Sequence, residues 1–215
     1  MRALVVYESM YGNTHIVAVS IAAGLDVRHK VTVVPLARAT QDLVAASDLL
    51  VVGGPTHMHG MANFTSRWMA ANTAAKRAGA LVMDPDALGP GIPGWMSRIG
   101  AWHGVAAAFD TRTRGLTLLT GRASRDIATL LEVHGYRLLA APESFFVSRH
   151  DILLEGEAAR ATAWGAVIGE VARSGALPVS PQVGHAIPLA LLCQQLIGRV
   201  DHRRVAVGAN AHGAA

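Results

Sequence analysis

Leu4-Val5-Val6-Tyr7-Glu8-Ser9-Met10-Tyr11-Gly12-Asn13-Thr14 stands near the start of the chain, and a helical pattern follows at once. Residues 4–7 are a short apolar run, as a strand buried on both faces requires. Residues 9–14 are a polar loop with one glycine. Ala18, Ile21 and Leu25 then recur at helical spacing, with Gly24 and Asp26 reading as the stop. A strand that feeds a loop opening a helix makes an anion site. The first helical N–H groups have no partner within the helix, and the helix dipole is positive there. Ser9 and Thr14 add hydroxyl donors, and Gly12 lets the backbone approach a ligand closely. The loop has no lysine, which excludes a Walker-type triphosphate loop, and it lacks the spaced glycines of a dinucleotide fingerprint. Neutral donors alone suit a monophosphate monoester. The alternative is an ordinary strand-turn-helix corner.

The rest of the chain repeats the strand-helix alternation. Residues 30–36 read as a second strand, and Pro35 suggests a sheet edge. Thr40 can cap a helix carrying Leu43 and Val44. Residues 48–53 are the strongest strand and run into a loop, 53–61, with three glycines, Pro55, Thr56, His57, Met58 and His59. A helix with Phe64 and Trp68 on one face is expected next, then a Pro/Gly-rich surface excursion over 80–94 and a short helical turn over 94–98. Residues 105–109 are the fourth strand, followed by a loop with Asp110, Thr111, Arg112 and Arg114. Ile127, Leu130, Leu131 and His134 mark a helix over 121–134, with Gly135 as its C-cap. A fifth strand begins at 136–140 and resumes at 144–147 after Pro142. Residues 157–173 are a helix with Trp164, Val167, Ile168 and Val171 on its buried face. This pattern predicts an α/β fold: a doubly wound five-stranded parallel sheet of order 2-1-3-4-5. That order puts the loops after strands 1 and 3 side by side, where such sheets bind ligand.

The loop Ser9-Met10-Tyr11-Gly12-Asn13-Thr14 resembles the phosphate loop of flavodoxin-like proteins, Ser/Thr-x-Thr-Gly-x-Thr. Ser9, Gly12, Asn13 and Thr14 match; Tyr11 departs from it, and an aromatic there is similar to quinone reductases and flavo-oxygen reductases of the same superfamily. The resemblance covers roughly residues 1–175 and leaves 176–215 as an extension. It implies non-covalent binding of flavin mononucleotide (FMN). Residues 9–14 would hold the phosphate, Pro55, Thr56, His57, Met58, His59 and Gly60 would line the ring, and Asp110, Thr111 and Arg112 would approach its other edge. Family carriers commonly sandwich the ring between tryptophan and tyrosine, which neither ring loop here contains. Gly60 would permit the peptide flip the family uses at reduced N5. His57 and His59 read as a polar lid over the ring, as surface residues, or as two ligands of a metal that has no third; no metal is expected.

Two functions follow from the resemblance. One is electron transfer to or from a redox partner protein. The other is an FMN-dependent NAD(P)H:quinone-type oxidoreductase acting on a small-molecule acceptor. A third reading is a fold that has lost its flavin and works through contacts. The net charge of +4 and pI of about 9.8 contrast with the acidity typical of flavodoxin carriers. The arginines are scattered, which speaks against nucleic acid. Arg112 and Arg114 read either as a solvated pair or as a site for a nicotinamide phosphate or an acidic partner. The length of 215 residues suffices for one full core, and 51% apolar composition fits a globular protein. Cys193 is the one cysteine, so no intrachain disulfide forms, and it reads as packing. No leader segment or membrane-length apolar run is evident, so a cytoplasmic location is expected. Residues 187–200 read as one amphipathic helix, open to a homodimer contact, before an Ala/Gly/His end that reads as disordered.

Overall fold

The computed structural model describes residues 1–26, 30–57, 60–61, 91–115 and 121–175. The helix expected around Phe64 and Trp68, most of the 80–94 excursion, and the 176–215 extension with Cys193 lie outside the described residues.

The elements are β1 (Arg2–Tyr7), α1 (Asn13–Asp26), β2 (Lys30–Pro35), a 3-10 turn (Leu36–Arg38), α2 (Gln41–Ala45), β3 (Leu49–His57), β4 (Gly60–Met61), α3 (Gly91–Ile99), β5 (Gly104–Thr113), α4 (Ala123–Val133), β6 (Tyr136–Leu138), β7 (Glu143–Val147) and α5 (Glu157–Ser174). β2, β1, β3 and β5 lie side by side and parallel. The fifth position is shared by the two halves of one interrupted strand. β6 pairs with the start of β5 and β7 with its end. The fold is therefore the doubly wound 2-1-3-4-5 sheet, with Pro35 on the edge strand and the break falling around Pro142 as expected.

Side-chain alternation along the strands divides the core in two. Leu4, Val6, Leu50 and Val52 face Trp95, Met96, Ile127 and Leu131 on one side. Val5, Val51 and Phe109 face Ile21, Phe145, Ala161 and Ile168 on the other. Thr40 caps α2, its hydroxyl accepting the Leu43 N–H at 3.3 Å. Gly135, at φ +92°, ends α4 as read.

The structure corrects four expectations. Gly24 does not stop α1; it lies inside the helix. A Cβ there would meet the Thr162 carbonyl oxygen at 2.0 Å, and one on Gly165 would meet that of Ile21 at 2.2 Å. α1 and α5 thus touch backbone to backbone through two glycines. This contact runs along Ala161, Gly165 and Ile168, which turns Val167 outward, 57% exposed, instead of onto the buried face. The turn expected at 94–98 is a nine-residue helix, α3. Finally, β3 and β5 continue well past their expected ends. Gly54 and Pro55 pair with Asp110 and Thr111 instead of forming loops. Gly53 is a packing residue, since a Cβ would sit 2.1 Å from the Phe109 ring. Its carbonyl accepts the Glu8 N–H, so Pro55, two residues on, turns its missing donor past the end of β1.

Candidate functional site

The carboxyl ends of β1, β3, β5 and β7 surround a cleft of about 120 Å³. It is lined by Met10, Tyr11, Asn13 and Thr14 from the first loop and helix, Pro55 and Thr56 from β3, and Thr111, Arg112 and Thr113 from β5. Val147 and Asp151 complete it. Sites that enclose a whole drug-sized ligand run to roughly 300–1,000 Å³. The described cleft therefore accommodates one end of a ligand.

The first loop is held from within. Gly12 adopts φ +85°, a conformation open to glycine, and a Cβ there would meet nothing within 4 Å. Its N–H donates to the Ser9 hydroxyl at 3.1 Å, and its carbonyl accepts the Ile16 N–H to begin α1. Ser9 is buried and shapes the loop instead of lining the cleft. The Asn13 amide is also committed. Its Nδ2 donates to the Asp151 carbonyl at 2.7 Å, and its Oδ1 accepts the Leu153 N–H at 3.0 Å. This clamp draws the segment after β7 over the start of α1. Asp151 pays with a left-handed backbone, φ +58°, which Asp tolerates better than most residues. Tyr7 stacks on His15 at 4.7 Å between ring centroids, bracing the loop from behind.

The polar groups left for a ligand lie at the first turn of α1. The Thr14 and Thr111 hydroxyls meet at 2.8 Å, both buried and both at the cleft wall. Beside them the helix offers its first N–H groups. No lysine or arginine belongs to the loop, although Arg112 reaches the wall from β5.

Arg112 is not a solvated side chain. It is buried, donates to the Gly121 carbonyl at 3.3 Å and lies 5.4 Å from the Phe146 ring centroid. Arg114 covers the same ring at 5.3 Å and is exposed. Asp110 is fully buried and does not line the cleft. Its Oδ2 accepts the Thr56 hydroxyl at 3.0 Å and the Ser124 N–H at 2.8 Å, so it closes the N-terminus of α4 from the neighbouring strand. The Ala123 N–H donates to Thr56 at 2.9 Å. Glu8 does the same for α3, accepting the Ile92 N–H at 3.2 Å. Burial pushes the carboxyl of Asp126, in the first turn of α4, above its ordinary value; the Met61 N–H opposes this and the charge of Asp110 adds to it.

Of the expected site residues, Met10, Tyr11, Asn13, Thr14, Pro55, Thr56, Thr111 and Arg112 come together at the cleft, and Gly12 and Ser9 shape its loop. β4 pairs antiparallel with β3, Thr56 against Met61 and His57 against Gly60. Met58 and His59 lie between them and outside the described residues. Thr113, Val147 and Asp151 were not anticipated. The rule that ligands sit outside the carboxyl ends of such strands extends to β7 and pointed at the last two.

The flavodoxin family model matches residues 5–83. A flavodoxin from the domain Archaea superposes with a TM-score of 0.56 at 17% identity, covering 80% of this chain and 99% of that one. Oxidised Flavodoxin 2 from Bacillus cereus gives 0.55 at 18%, covering 79% and 99%. The Streptococcus pneumonia TIGR4 flavodoxin gives 0.53 at 14%, covering 82% and 100%. At such identities the structural likeness speaks to the fold. A search of curated proteins finds no match. The fold is flavodoxin-like: the family model matches a stretch that includes the first loop and third strand, and the sheet order is 2-1-3-4-5.

Proposed function

We propose that this flavodoxin-like chain binds one FMN non-covalently and passes electrons to or from a redox partner. The observation that carries the reading is the cleft at the carboxyl ends of β1 and β3, where a neutral loop, the first turn of α1 and the Thr14–Thr111 hydroxyl pair converge. That donor set fits a phosphate monoester. Hydroxyls and N–H groups satisfy its oxygens, and the open space at Gly12 gives the phosphate room beside the backbone. Bound there, flavin would supply the electron-accepting ring, which no side chain of the protein can replace.

The chain's own residues then bind and orient. Thr14 and Thr111 share their hydroxyl protons, so the pair has one left to give a ligand oxygen. Asn13 holds the 151–153 segment against the loop, and Asp110 holds Thr56 at the opposite wall. Among the described residues no helix is long and apolar enough to cross a membrane.

The test is a visible spectrum after adding excess FMN to the purified protein and desalting. Retained flavin near one per chain supports the reading, and a colourless protein sinks it. Adding a nicotinamide nucleotide to the loaded protein then separates two roles. Rapid bleaching assigns an NAD(P)H-dependent reductase, and an unchanged spectrum assigns an electron carrier.

A further inference from the structure

We infer that the amino end of the sheet carries a second binding site, a pocket for a neutral, ring-sized molecule that presents a hydrogen-bond acceptor to Tyr136. The inference stands apart from the flavin reading. This pocket lies at the starts of β3, β5 and β6, whereas the cleft lies at the carboxyl ends of the strands. Leu50 in the pocket and Thr56 in the cleft are six residues apart on β3, about 20 Å along the strand.

The pocket has a volume of about 120 Å³. Val44, Leu50 and Tyr136 are its buried members, with Trp102 and Val105 half-buried beside them. Asp48 and His103 are exposed, so charge and polarity lie toward solvent and the apolar surface lies within. An apolar cavity of about 150 Å³ admits benzene, so this one holds a single small ring and is too small for a flavin. The sheet and backbone hydrogen bonds fix its walls. Gly104 and Tyr136 are partners in the β5–β6 register. The Trp102 N–H donates to the His134 carbonyl at 2.8 Å, and the Asp48 N–H to the Arg2 carbonyl at 2.8 Å. Walls held in this way make a preformed site.

The donors around the pocket decide what fits. Ser47 gives its hydroxyl proton to the Val44 carbonyl at 2.7 Å, and Trp102 gives its indole N–H to the Ile99 carbonyl at 2.8 Å. Tyr136 is different. It is 7% exposed, and among the described residues its hydroxyl has no hydrogen-bond partner. A buried tyrosine hydroxyl usually finds one, and leaving it without one is costly. Burial pushes the Tyr136 hydroxyl up to about 12, so it keeps its proton and remains a donor. Its complement is an acceptor on the ligand. Asp48 decides the charge. Its carboxylate accepts the Arg2 N–H at 2.7 Å, which holds the group below its ordinary value, and the charge disfavours an anion. The Arg2 guanidinium, 3.6 Å away, offsets the pull of that carboxylate on a cation. A neutral heteroaromatic ring or cyclic carbonyl compound meets both conditions.

Three probes of similar shape test this on the full chain. Pyrazine is a neutral ring with acceptors at its edge, benzene has none, and N-methylpyridinium is a cation with none. Binding is read by titration from amide NMR shifts, at Gly104 and Tyr136 for the pocket and at Thr14 and Thr111 for the cleft. We expect pyrazine to shift Gly104 and Tyr136. It should bind wild type more tightly than benzene does, although water solvates it better, and N-methylpyridinium should bind most weakly. Tyr136→Phe keeps the ring and removes the donor. In Y136F the affinity ratio of pyrazine to benzene should fall about two- to tenfold, the range for one neutral hydrogen bond. Thermal melting reports whether that variant is folded.

Benzene or N-methylpyridinium binding wild type more tightly than pyrazine overturns the inference, and that comparison stands even if Y136F fails to fold. Pyrazine that leaves Gly104 and Tyr136 unmoved overturns it too, because the pocket is then a gap in the packing. An unchanged ratio in folded Y136F does the same, since the hydroxyl then recognises nothing. None of these outcomes depends on whether the chain retains FMN.

Discussion

The Thr14 and Thr111 hydroxyls meet at 2.8 Å, tying the first turn of α1 to the end of β5 across 97 residues of chain. One proton joins them and one remains for a ligand. Thr14→Val removes the hydroxyl that the first turn of α1 presents at the cleft. It should weaken FMN binding by roughly five- to tenfold, the equivalent of about 1 kcal/mol. Thr111→Val leaves the Thr14 proton free to donate and should weaken binding less. The double variant should show a coupling of at least about 0.5 kcal/mol in a titration cycle. A larger loss from T111V than from T14V would reverse the assignment.

Asn13 is a second such link. Its side chain donates to the Asp151 carbonyl and accepts from the Leu153 N–H, spanning the first loop and the segment after β7. Asn13→Ala strands both backbone groups and should cost about 1–3 kcal/mol. Asn13→Asp keeps the acceptor but turns a carboxylate toward the Asp151 carbonyl, so it should recover only part of the loss. Protease cleavage within 148–155 should rise in both variants. Unchanged cleavage would mean that the segment is held by other contacts.

Much of the fold was legible in the sequence because the strands are two-sided apolar runs and the helices follow their own period. The order β2-β1-β3-β5 follows from that alternation, and Pro35 found its edge. The glycines were less legible. Gly24, Gly53 and Gly165 read as stops or loops, or passed unremarked, but each lets another segment approach closely. Propensity cannot separate a glycine that bends the chain from one that admits a neighbour. The same ambiguity hid the length of β3 and β5. Asp110 and Arg112 looked like loop residues because buried charges are rare, and their partners, Thr56, Ser124 and Gly121, come from elsewhere in the chain. The turn from β1 into α1 was legible because it is local. The contribution of Asp151 was not, because it depends on a clamp 138 residues distant.

The α1–α5 crossing predicts an unusual sensitivity to a methyl group. Gly165→Ala would place a Cβ 2.2 Å from a backbone carbonyl, which cannot move as a flexible side chain would. The helices must separate, at about 3 kcal/mol, lowering Tm by roughly 6–12 °C. Gly24→Ala should do the same, from a distance of 2.0 Å to the Thr162 carbonyl. Val167→Ala, on the exposed side of α5, should change stability by less than about 0.5 kcal/mol. Equal melting of G165A and V167A would show that the close approach is absent in solution.

Glu157 predicts a pH dependence of stability. It sits at the start of α5, accepting the Phe146 N–H at 2.8 Å and an ion pair from Arg160, which also binds Glu143. Burial raises the carboxyl, but the hydrogen bonds from Arg160 and Phe146 outweigh it and hold the group below its ordinary value of 4.5. A carboxylate lowered in the folded state binds its proton less readily there than in the unfolded chain. Its contribution is therefore complete above the unfolded value and is lost as pH falls through the folded one. Wild type should lose stability progressively below about pH 4.5, and Glu157→Gln should lose about 1 kcal/mol less across that window because it has no such charge to neutralise. Arg160 is partly exposed, so added salt should reduce the difference. Denaturant unfolding of both proteins between pH 3 and 7 reads this directly (about four points suffice to define the slope). Parallel pH profiles for the two proteins would remove Glu157 from the account of acid stability and leave Glu143 as the carboxylate that Arg160 serves.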